Sequence, residues 1–290
     1  MFNRVFLFVL TNILVIALIS IIINLTGLDP SLYSGFEGLA VICLLWGSVG
    51  SFISLMISKW SAKRAMRLQP IDPNGSHGYV VEAIKEFARR EKIKTPEVYY
   101  YQSDELNAFA TGPSRNNSLV AFSSGLLQDM DQDEVIGVAA HEVAHITNGD
   151  MVTMALVQGI VNAFVMFIAR VVAFAIDNAL KSDDDGEGLG YFAYFAVVMV
   201  LQAVFGLLTL PVVAWFSRYR EFRADAGGAA LAGRDKMVAA LQALDEKFSI
   251  DRLDNSQPAM KAMKISGRGV IALLSTHPPI PKRIAALKKS

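Results

Sequence analysis

Two histidines and a glutamate lie within five consecutive residues, His141-Glu142-Val143-Ala144-His145. Residues four positions apart lie on one face of an α-helix, so both imidazoles can bind a single metal ion. Glu142 points to an adjacent angle, from which it can reach a metal-bound water without being a ligand. Zinc lowers the pKa of such a water towards neutrality, and a carboxylate can take its proton during attack on a peptide carbonyl. The motif therefore predicts metal-dependent peptide-bond hydrolysis.

The residues around this motif indicate a buried helix. Asp131 is a good N-cap residue, and Glu134 three positions later completes a capping-box pattern. The helix is predicted to run to about Asn148, where Gly149 can end it. The alternative reading of His141 and His145 is a pair of hydrogen-bonded histidines in an ordinary protein core.

A catalytic zinc ion requires a third protein ligand and an open fourth position. The single cysteine, Cys43, cannot build a thiolate site, so the candidates are His277, His77 and acidic residues. Glu221 can supply the third ligand, and Asp225, one helical turn later, can hold the outer nitrogen of a ligating histidine. The alternative is a surface helix in which Glu221 and Asp225 form ordinary salt bridges.

The composition indicates that much of the chain lies in a lipid bilayer. Of 290 residues, 53% are hydrophobic and 19% are charged, whereas a typical soluble domain has about 25% charged residues. Four apolar segments approach the roughly 20 residues that a membrane-spanning helix requires. They cover residues 5–25, 39–57, 156–176 and 191–216. For the last two, the alternative is a buried helical hairpin in a soluble core.

The charges that flank these segments predict their orientation. Residues 26–38 and 177–190 contain acidic side chains and a single basic one, Lys181. Basic residues follow the second and fourth segments instead: Lys59, Lys63, Arg64 and Arg67, then Arg218, Arg220 and Arg223. Because cytoplasmic flanks of membrane helices are enriched in Lys and Arg, both termini and both large polar parts are expected in the cytosol. The net charge of zero does not indicate nucleic-acid binding.

These patterns predict four parts of the chain. They are a transmembrane helix pair at 1–58, the first part of a catalytic domain at 59–155, a transmembrane hairpin at 156–216, and the second part of that domain at 217–290. A hairpin returns to the side it left, so Glu221 is expected near the two histidines. The predicted fold is an α-helical integral membrane protein with four transmembrane helices and a cytosolic zincin-like α+β catalytic domain.

The polar parts contain further predicted elements. A helix is expected at 78–92, strands at 97–102, 107–111 and 119–123, and helices at 221–232, 236–248 and 278–289. Turn-forming residues at 112–117 predict a hairpin between the last two strands. The strand that begins Asn107-Ala108-Phe109 can bind an extended substrate by strand addition, or can be an ordinary core strand. His277 can stabilise an oxyanion, or can be a surface residue before two prolines.

Taken together, these residues resemble the HtpX-type membrane metallopeptidases, gluzincins that are related to the CAAX prenyl endopeptidases. The resemblance covers nearly the whole chain. Its motifs are His141-x-x-x-His145 with Asn148-Gly149-Asp150, residues 107–112, the Arg220-Glu221-Phe222-x-Ala224-Asp225 run and Thr276-His277-Pro278. The resemblance implies one zinc ion per chain, bound by His141, His145 and Glu221, with Glu142 as the catalytic base.

The resemblance also implies a location and a biological role that residue spacing does not show. It implies a multi-pass protein of the bacterial inner membrane that serves protein quality control in the stress response by degrading damaged or misfolded membrane proteins. The expected partners are protein substrates and the lipid bilayer, and the oligomeric state stays open. Two alternatives remain: a prenyl-protein endopeptidase that requires a lipidated substrate, and a non-catalytic membrane chaperone or scaffold with a structural zinc.

Overall fold

A computed structural model describes residues 35–181, 188–254 and 277–289. Its helices are α1 (Gly35–Ala65), α2 (Gly78–Arg90), α3 (Ser124–Asp129), α4 (Gln132–Asn148), α5 (Asp150–Leu180), α6 (Gly190–Ala232), α7 (Arg234–Asp254) and α8 (Ile280–Lys289). Its strands are β1 (Gln69–Pro70), β2 (Glu97–Tyr101), β3 (Ala108–Ser114) and β4 (Asn117–Ser123). The first predicted membrane segment, at 5–25, lies outside the described residues.

Three helices of the described ranges are long and apolar enough to cross a membrane. They are Gly38–Ala65 within α1, Asp150–Leu180 and Gly190–Ala232. Each contains one of the last three apolar segments that the sequence predicts. Large apolar side chains are exposed along them, among them Phe52, Phe164 and Leu208. Contiguous exposed apolar surface of this kind is typical of a lipid-facing protein.

The helix that contains Glu221 is longer than predicted. The sequence suggests that a membrane segment ends near 216 and that a new helix begins at Glu221, but α6 is continuous over 43 residues. Pro211 lies inside it, and the helix ends only before Gly233, whose φ of 96° favours glycine. The predicted break is therefore wrong, because no residue between 212 and 232 ends a helix.

The chain divides into two compact units. The first unit comprises Met1–Ser54 and Ala155–Val213, and the second unit comprises Leu55–Met154 and Ala214–Ser290. All candidate site residues belong to the second unit.

In the first unit, α1 and α5 approach each other at small residues. A Cβ added to Gly47 would lie 2.7 Å from the backbone nitrogen of Ala163 and 2.8 Å from the carbonyl oxygen of Gly159. Close backbone contact at small residues is typical of helix pairs in membranes. Among the described residues of this unit, four polar side chains are buried: Ser51, Asn162, Arg170 and Gln202. Their burial agrees with the tendency of polar membrane residues to face the protein interior.

The second unit contains a four-stranded sheet with the order β1-β2-β4-β3. Strands β3 and β4 form the predicted antiparallel hairpin, whereas β2 pairs with β4 in parallel. The hairpin turn is shorter than the predicted one, because the strands continue through Gly112 and Pro113 with a register shift. This topology places β3 at one edge of the sheet.

The core of the second unit lies where α2 and α4 pack on each other and on the hairpin. Helix α2 confirms the amphipathic pattern at 78–92, since its apolar positions are the buried ones: Val80, Val81, Ile84, Phe87 and Ala88. These side chains join Phe122 of β4 and Val135 of α4 in one cluster. Helix α4 is thereby held against the sheet along its length.

Candidate metal centre

Helix α4 presents the two histidines of the His-Glu-x-x-His motif on one face. Its N-terminus has the predicted capping box, in which Asp131 and Glu134 each accept a hydrogen bond from the other's backbone N–H. Gly149 ends the helix with a φ of 71°. The Nε2 atoms of His141 and His145 lie 3.1 Å apart. A capped and buried helix therefore fixes the spacing of the two imidazoles.

Helix α6 brings Glu221 to these histidines because two glycines allow its backbone to approach α4. A Cβ added to Gly228 would lie 3.1 Å from the backbone nitrogen of His141, and one added to Gly227 would lie 2.9 Å from the Cβ of Ala144. Glu221 is 2% exposed. Its Oε1 lies 3.3 Å from Nε2 of His145, and its Oε2 lies 3.6 Å from Nε2 of His141.

These three side chains fit a metal ion. One donor atom from each of His141, His145 and Glu221 lies within 4.8 Å of the other two. A tetrahedral zinc ion with bonds of about 2.0–2.1 Å places its ligand atoms about 3.3 Å apart, which is close to the separations observed here. Oε2 of Glu221 is also in contact with Nδ1 of His277 at 2.9 Å and with Nη1 of Arg283 at 3.2 Å.

Asp225 holds the outer nitrogen of His141. Its Oδ1 lies 3.0 Å from Nδ1 of His141, and the carboxylate is 1% exposed. Arg283 of α8 donates hydrogen bonds to both oxygens of Asp225, at 2.8 and 2.6 Å. The sequence suggested the contact between Asp225 and a histidine but not Arg283, which lies 58 residues further along the chain. No spacing rule links residues so far apart.

His145 has its own carboxylate partner, Asp150, which sequence reasoning missed. Oδ2 of Asp150 lies 2.6 Å from Nδ1 of His145, and the side chain is 1% exposed. Arg223 donates to Oδ1 of Asp150 at 2.9 Å, and Arg220 donates to its carbonyl oxygen at 3.2 Å. The available signal was Gly149, because a left-handed residue after a helix turns the following side chain back towards the last turn.

The carboxylates raise the pKa values of both imidazoles. Burial lowers the pKa of His145, but hydrogen bonds to Asp150 and Glu221 outweigh it and raise that pKa to about 10. Burial likewise lowers the pKa of His141, and hydrogen bonds to Asp225 and Glu221 raise it overall. A metal ion that binds here must therefore displace protons from the histidines.

The other predicted site residues occupy different positions. Glu142 is buried in α4 directly after His141. His277 is exposed, and its Nδ1 lies 2.9 Å from Oε2 of Glu221. His77 lies at the N-terminal end of α2. Among the described residues, the donor group contains neither His77 nor His277.

Strand β3 lies beside α4, the helix that contains His141 and His145. Ala108 and Phe109 pair with Phe122 and Ala121 of β4, and β3 also packs against α4. Asn107 precedes the strand and is held there by hydrogen bonds to Ser123 and to the Tyr101 hydroxyl. Within the described sheet, the edge of β3 that faces away from β4 pairs with no strand.

Comparison with known proteins gives concordant matches. The model of Peptidase family M48 matches residues 75–290. "Protease HtpX" of Shewanella frigidimarina (strain NCIMB 400) is 51% identical over 293 residues, covering 99% of this chain and 100% of the relative. "Protease HtpX homolog" of Methylacidiphilum infernorum (isolate V4) is 46% identical over 298 residues, covering 100% of this chain and 99% of the relative.

A solved structure shares the fold. The crystal structure of S. mikatae Ste24p matches with a TM-score of 0.65 at 18% sequence identity, over 94% of this chain and 62% of that chain. The chain therefore spans less than two thirds of the length of Ste24p. At this identity the likeness concerns the fold alone.

Proposed function

The chain belongs to peptidase family M48 and is a membrane-bound metallopeptidase, and we propose that its metal is one zinc ion held by His141, His145 and Glu221. The observation that carries this proposal is the convergence of three donor atoms from two helices, on two buried side chains and on the partly buried His145. Family membership also favours a peptidase over a non-catalytic scaffold.

We assign the remaining chemistry to residues of the same helices. Bound at these donors, zinc would lower the pKa of a water molecule and polarise the scissile carbonyl. Glu142 accepts the proton of the attacking water and returns it to the leaving amine, the ordinary work of a carboxylate general base. Asp225 and Asp150 hold the outer nitrogens of His141 and His145, which leaves both Nε2 atoms directed at the donor centre.

The proposed substrates are damaged or misfolded membrane proteins, cleaved on the cytosolic side of a bacterial inner membrane. Among the described strands, none pairs with the edge of β3 that faces away from β4, which supports a broad specificity because strand addition recognises the peptide backbone rather than particular side chains. In this proposal, residues 107–109 guide the extended substrate to α4. His277 is the candidate for oxyanion stabilisation, since its exposed ring adjoins Glu221.

We retain the four-part organisation of the chain as a proposal. It pairs a proposed membrane helix at 5–25 with α1 and places the proposed catalytic parts, 59–155 and 217–290, on the side of the basic flanks. Lys59 and Lys63, near the end of α1, both contact Glu97 of β2, so these flanking cations belong to the second unit.

The decisive experiment measures zinc content and cleavage of an unfolded membrane protein on the same purified samples. Glu142→Gln is expected to keep one zinc per chain and to lose cleavage by at least about 100-fold, the usual contribution of general-base catalysis. Glu221→Ala is expected to lose both. Glu82→Gln, at an exposed position of α2, is the matched control and should behave as the wild type.

Two outcomes would contradict the proposal. Full cleavage by Glu142→Gln would remove Glu142 as the base, and full zinc content in Glu221→Ala would remove Glu221 as the ligand.

Presenting one peptide with and without a prenylated cysteine separates the two peptidase readings. A strict requirement for the lipid would favour a prenyl-protein endopeptidase.

A further inference from the structure

Arg283, in the last helix α8, is buried against the metal-donor residues. It is 6% exposed. Its Nε and Nη2 donate to the two oxygens of Asp225, and its Nη1 lies 3.2 Å from Oε2 of Glu221. One guanidinium thus contacts two carboxylates that are one helical turn apart on α6.

We propose that Arg283 is a positioning residue of the metal site, which orients His141 through Asp225 and couples the docking of α8 to metal binding. This inference rests on the proposed zinc site at His141, His145 and Glu221. Arg283 is assigned no contact with the metal or the substrate.

His141 and Arg283 both contact one oxygen atom of Asp225. Oδ1 of Asp225 accepts a hydrogen bond from Arg283 at 2.6 Å and lies 3.0 Å from Nδ1 of His141. A carboxylate on the outer nitrogen of a ligating histidine fixes both the tautomer and the ring orientation. It can do so only if its own direction is fixed, and a bidentate guanidinium provides that direction.

Arg283 also supplies a positive charge between two buried carboxylates. Glu221 and Asp225 are two buried carboxylates within one helical turn, and buried anions are costly unless they are paired. Arg283 contacts both of them. Without the positive charge of Arg283, the two buried carboxylates would repel each other. The unfavourable free energy of burying them would then destabilise the turn of α6 that contains Glu221.

The two arginines that pair with Asp150 and Asp225 belong to different helices. Asp150 forms a salt bridge with Arg223, which lies on α6, the same helix as Glu221. Arg283 instead belongs to α8, whose Leu287 is buried in a small apolar cluster with Met237 and Leu241 of α7. Helix α8 therefore has two attachments to the second unit, the apolar cluster and the ion pairs at the metal site.

Thermodynamic linkage follows from this arrangement. If docking of α8 raises the affinity for zinc by some factor, zinc must favour docking of α8 by the same factor. A change in either equilibrium is then visible in the other. The inference can therefore be tested by zinc affinity and by the protection of the α8 amides against hydrogen exchange, without measuring peptide cleavage.

The test uses the full-length protein in detergent and measures zinc affinity by competition with a chelator. Arg283→Met, which keeps the length but removes the charge, is expected to weaken zinc binding about 10–100-fold, the usual effect of losing such a supporting contact. Arg283→Lys should lie between the two, because an ammonium cannot bind both oxygens of Asp225 in parallel. Lys282→Met, at the exposed neighbouring position, is the control and should bind zinc as the wild type does.

A double-mutant cycle identifies the route of the effect. In an Asp225→Asn background, Arg283→Met should weaken zinc binding less than it does in the wild type, because the route through Asp225 is already altered and only the contact with Glu221 remains. An equal loss in both backgrounds would overturn the assignment.

Hydrogen exchange of the wild type provides a test that needs no foldable variant. Amide exchange in α8 is expected to slow when zinc is added to the chelated protein. An amide exchange rate in α8 that does not change when zinc is added would overturn the inference. Wild-type zinc affinity in both Arg283→Met and Arg283→Lys would also overturn it. His141→Ala separates this failure from failure of the site itself, because unaltered zinc binding in that variant would place the metal elsewhere.

Discussion

His141 and His145 each have an outer nitrogen next to a buried carboxylate, and each carboxylate is paired with an arginine. The two chains of contacts are His141–Asp225–Arg283 and His145–Asp150–Arg223. Loss of such a supporting residue typically lowers metal affinity or activity by about 10–100-fold. At the scale of single residues, the metal site therefore extends beyond the three donors.

Asp150→Asn is expected to weaken zinc binding and to change its pH dependence. With Asp150 present, the pKa of His145 is raised to about 10 in the absence of metal, so zinc must displace a proton at neutral pH. Zinc affinity should then rise with pH, by about tenfold per unit for each displaced proton, until the pH passes that pKa. Asparagine cannot stabilise the imidazolium in this way, so the dependence should flatten at mildly alkaline pH.

Competition with a chelator over a series of pH values measures both quantities. The expected loss of zinc affinity in Asp150→Asn at neutral pH is modest. The weaker hydrogen bond to His145 lowers the affinity, whereas the easier deprotonation of His145 raises it. Asp133→Asn, at the exposed first turn of α4, is a suitable control. An unchanged pH dependence in Asp150→Asn would show that this carboxylate does not control the protonation of His145.

At the scale of elements, the approach of α6 to α4 decides where Glu221 lies. Gly228 faces the backbone of His141 and the sulfur of Met237, where an added Cβ would be 3.1 Å and 2.9 Å away. Met237 has a flexible side chain that can move, but the backbone of His141 is fixed in a capped and buried helix. A methyl group at position 228 must therefore push the two helices apart by a few tenths of an ångström.

Gly228→Ala is expected to weaken zinc binding because this displacement moves Glu221 away from the histidines. Gly206→Ala on the same helix is the matched control, since a Cβ there meets no atom of the described residues within 4 Å. That control should be neutral or stabilising by up to about 1 kcal/mol, the usual gain from replacing a helical glycine. Zinc titration and thermal unfolding of both variants check the prediction, and equal zinc affinities would refute it.

At the scale of the whole molecule, the number of membrane spans determines where the two ends of the chain lie. Three described helices can cross a bilayer, and the segment at 5–25 is the proposed fourth. An even number of spans puts both termini on one side, whereas an odd number separates them. The basic flanks after 57 and 216 predict that this common side is the cytosol.

Reporter fusions test this prediction in cells. A reporter that is active only in the cytosol should work at either terminus and fail when it is inserted between 182 and 187. A cytosolic C-terminus with an external N-terminus would show three spans and contradict the four-helix prediction. External reporters at both termini would instead keep the even count and reverse the proposed orientation.

Local physics explains why the sequence alone determined the helix that contains His141 and His145 and the last three apolar segments. The capping box, the i and i+4 spacing of His141 and His145, and the period of α2 all depend on residues within one or two turns. The hairpin of β3 and β4 is equally local, since a turn of a few residues joins its strands. Such patterns are readable because chain geometry fixes the neighbours.

Only the tertiary structure decided the supporting contacts and the extent of α6. Arg283 meets Asp225 across 58 residues, and Arg223 meets Asp150 across 73, so neither pair has a spacing that helical or strand geometry would impose. The sequence suggested a break before Glu221 because the apolar segment ends there, but a change in polarity does not end a helix. A helix continues until a residue such as Gly233 favours another backbone conformation, and side chains far apart in sequence meet only after packing has placed their helices together.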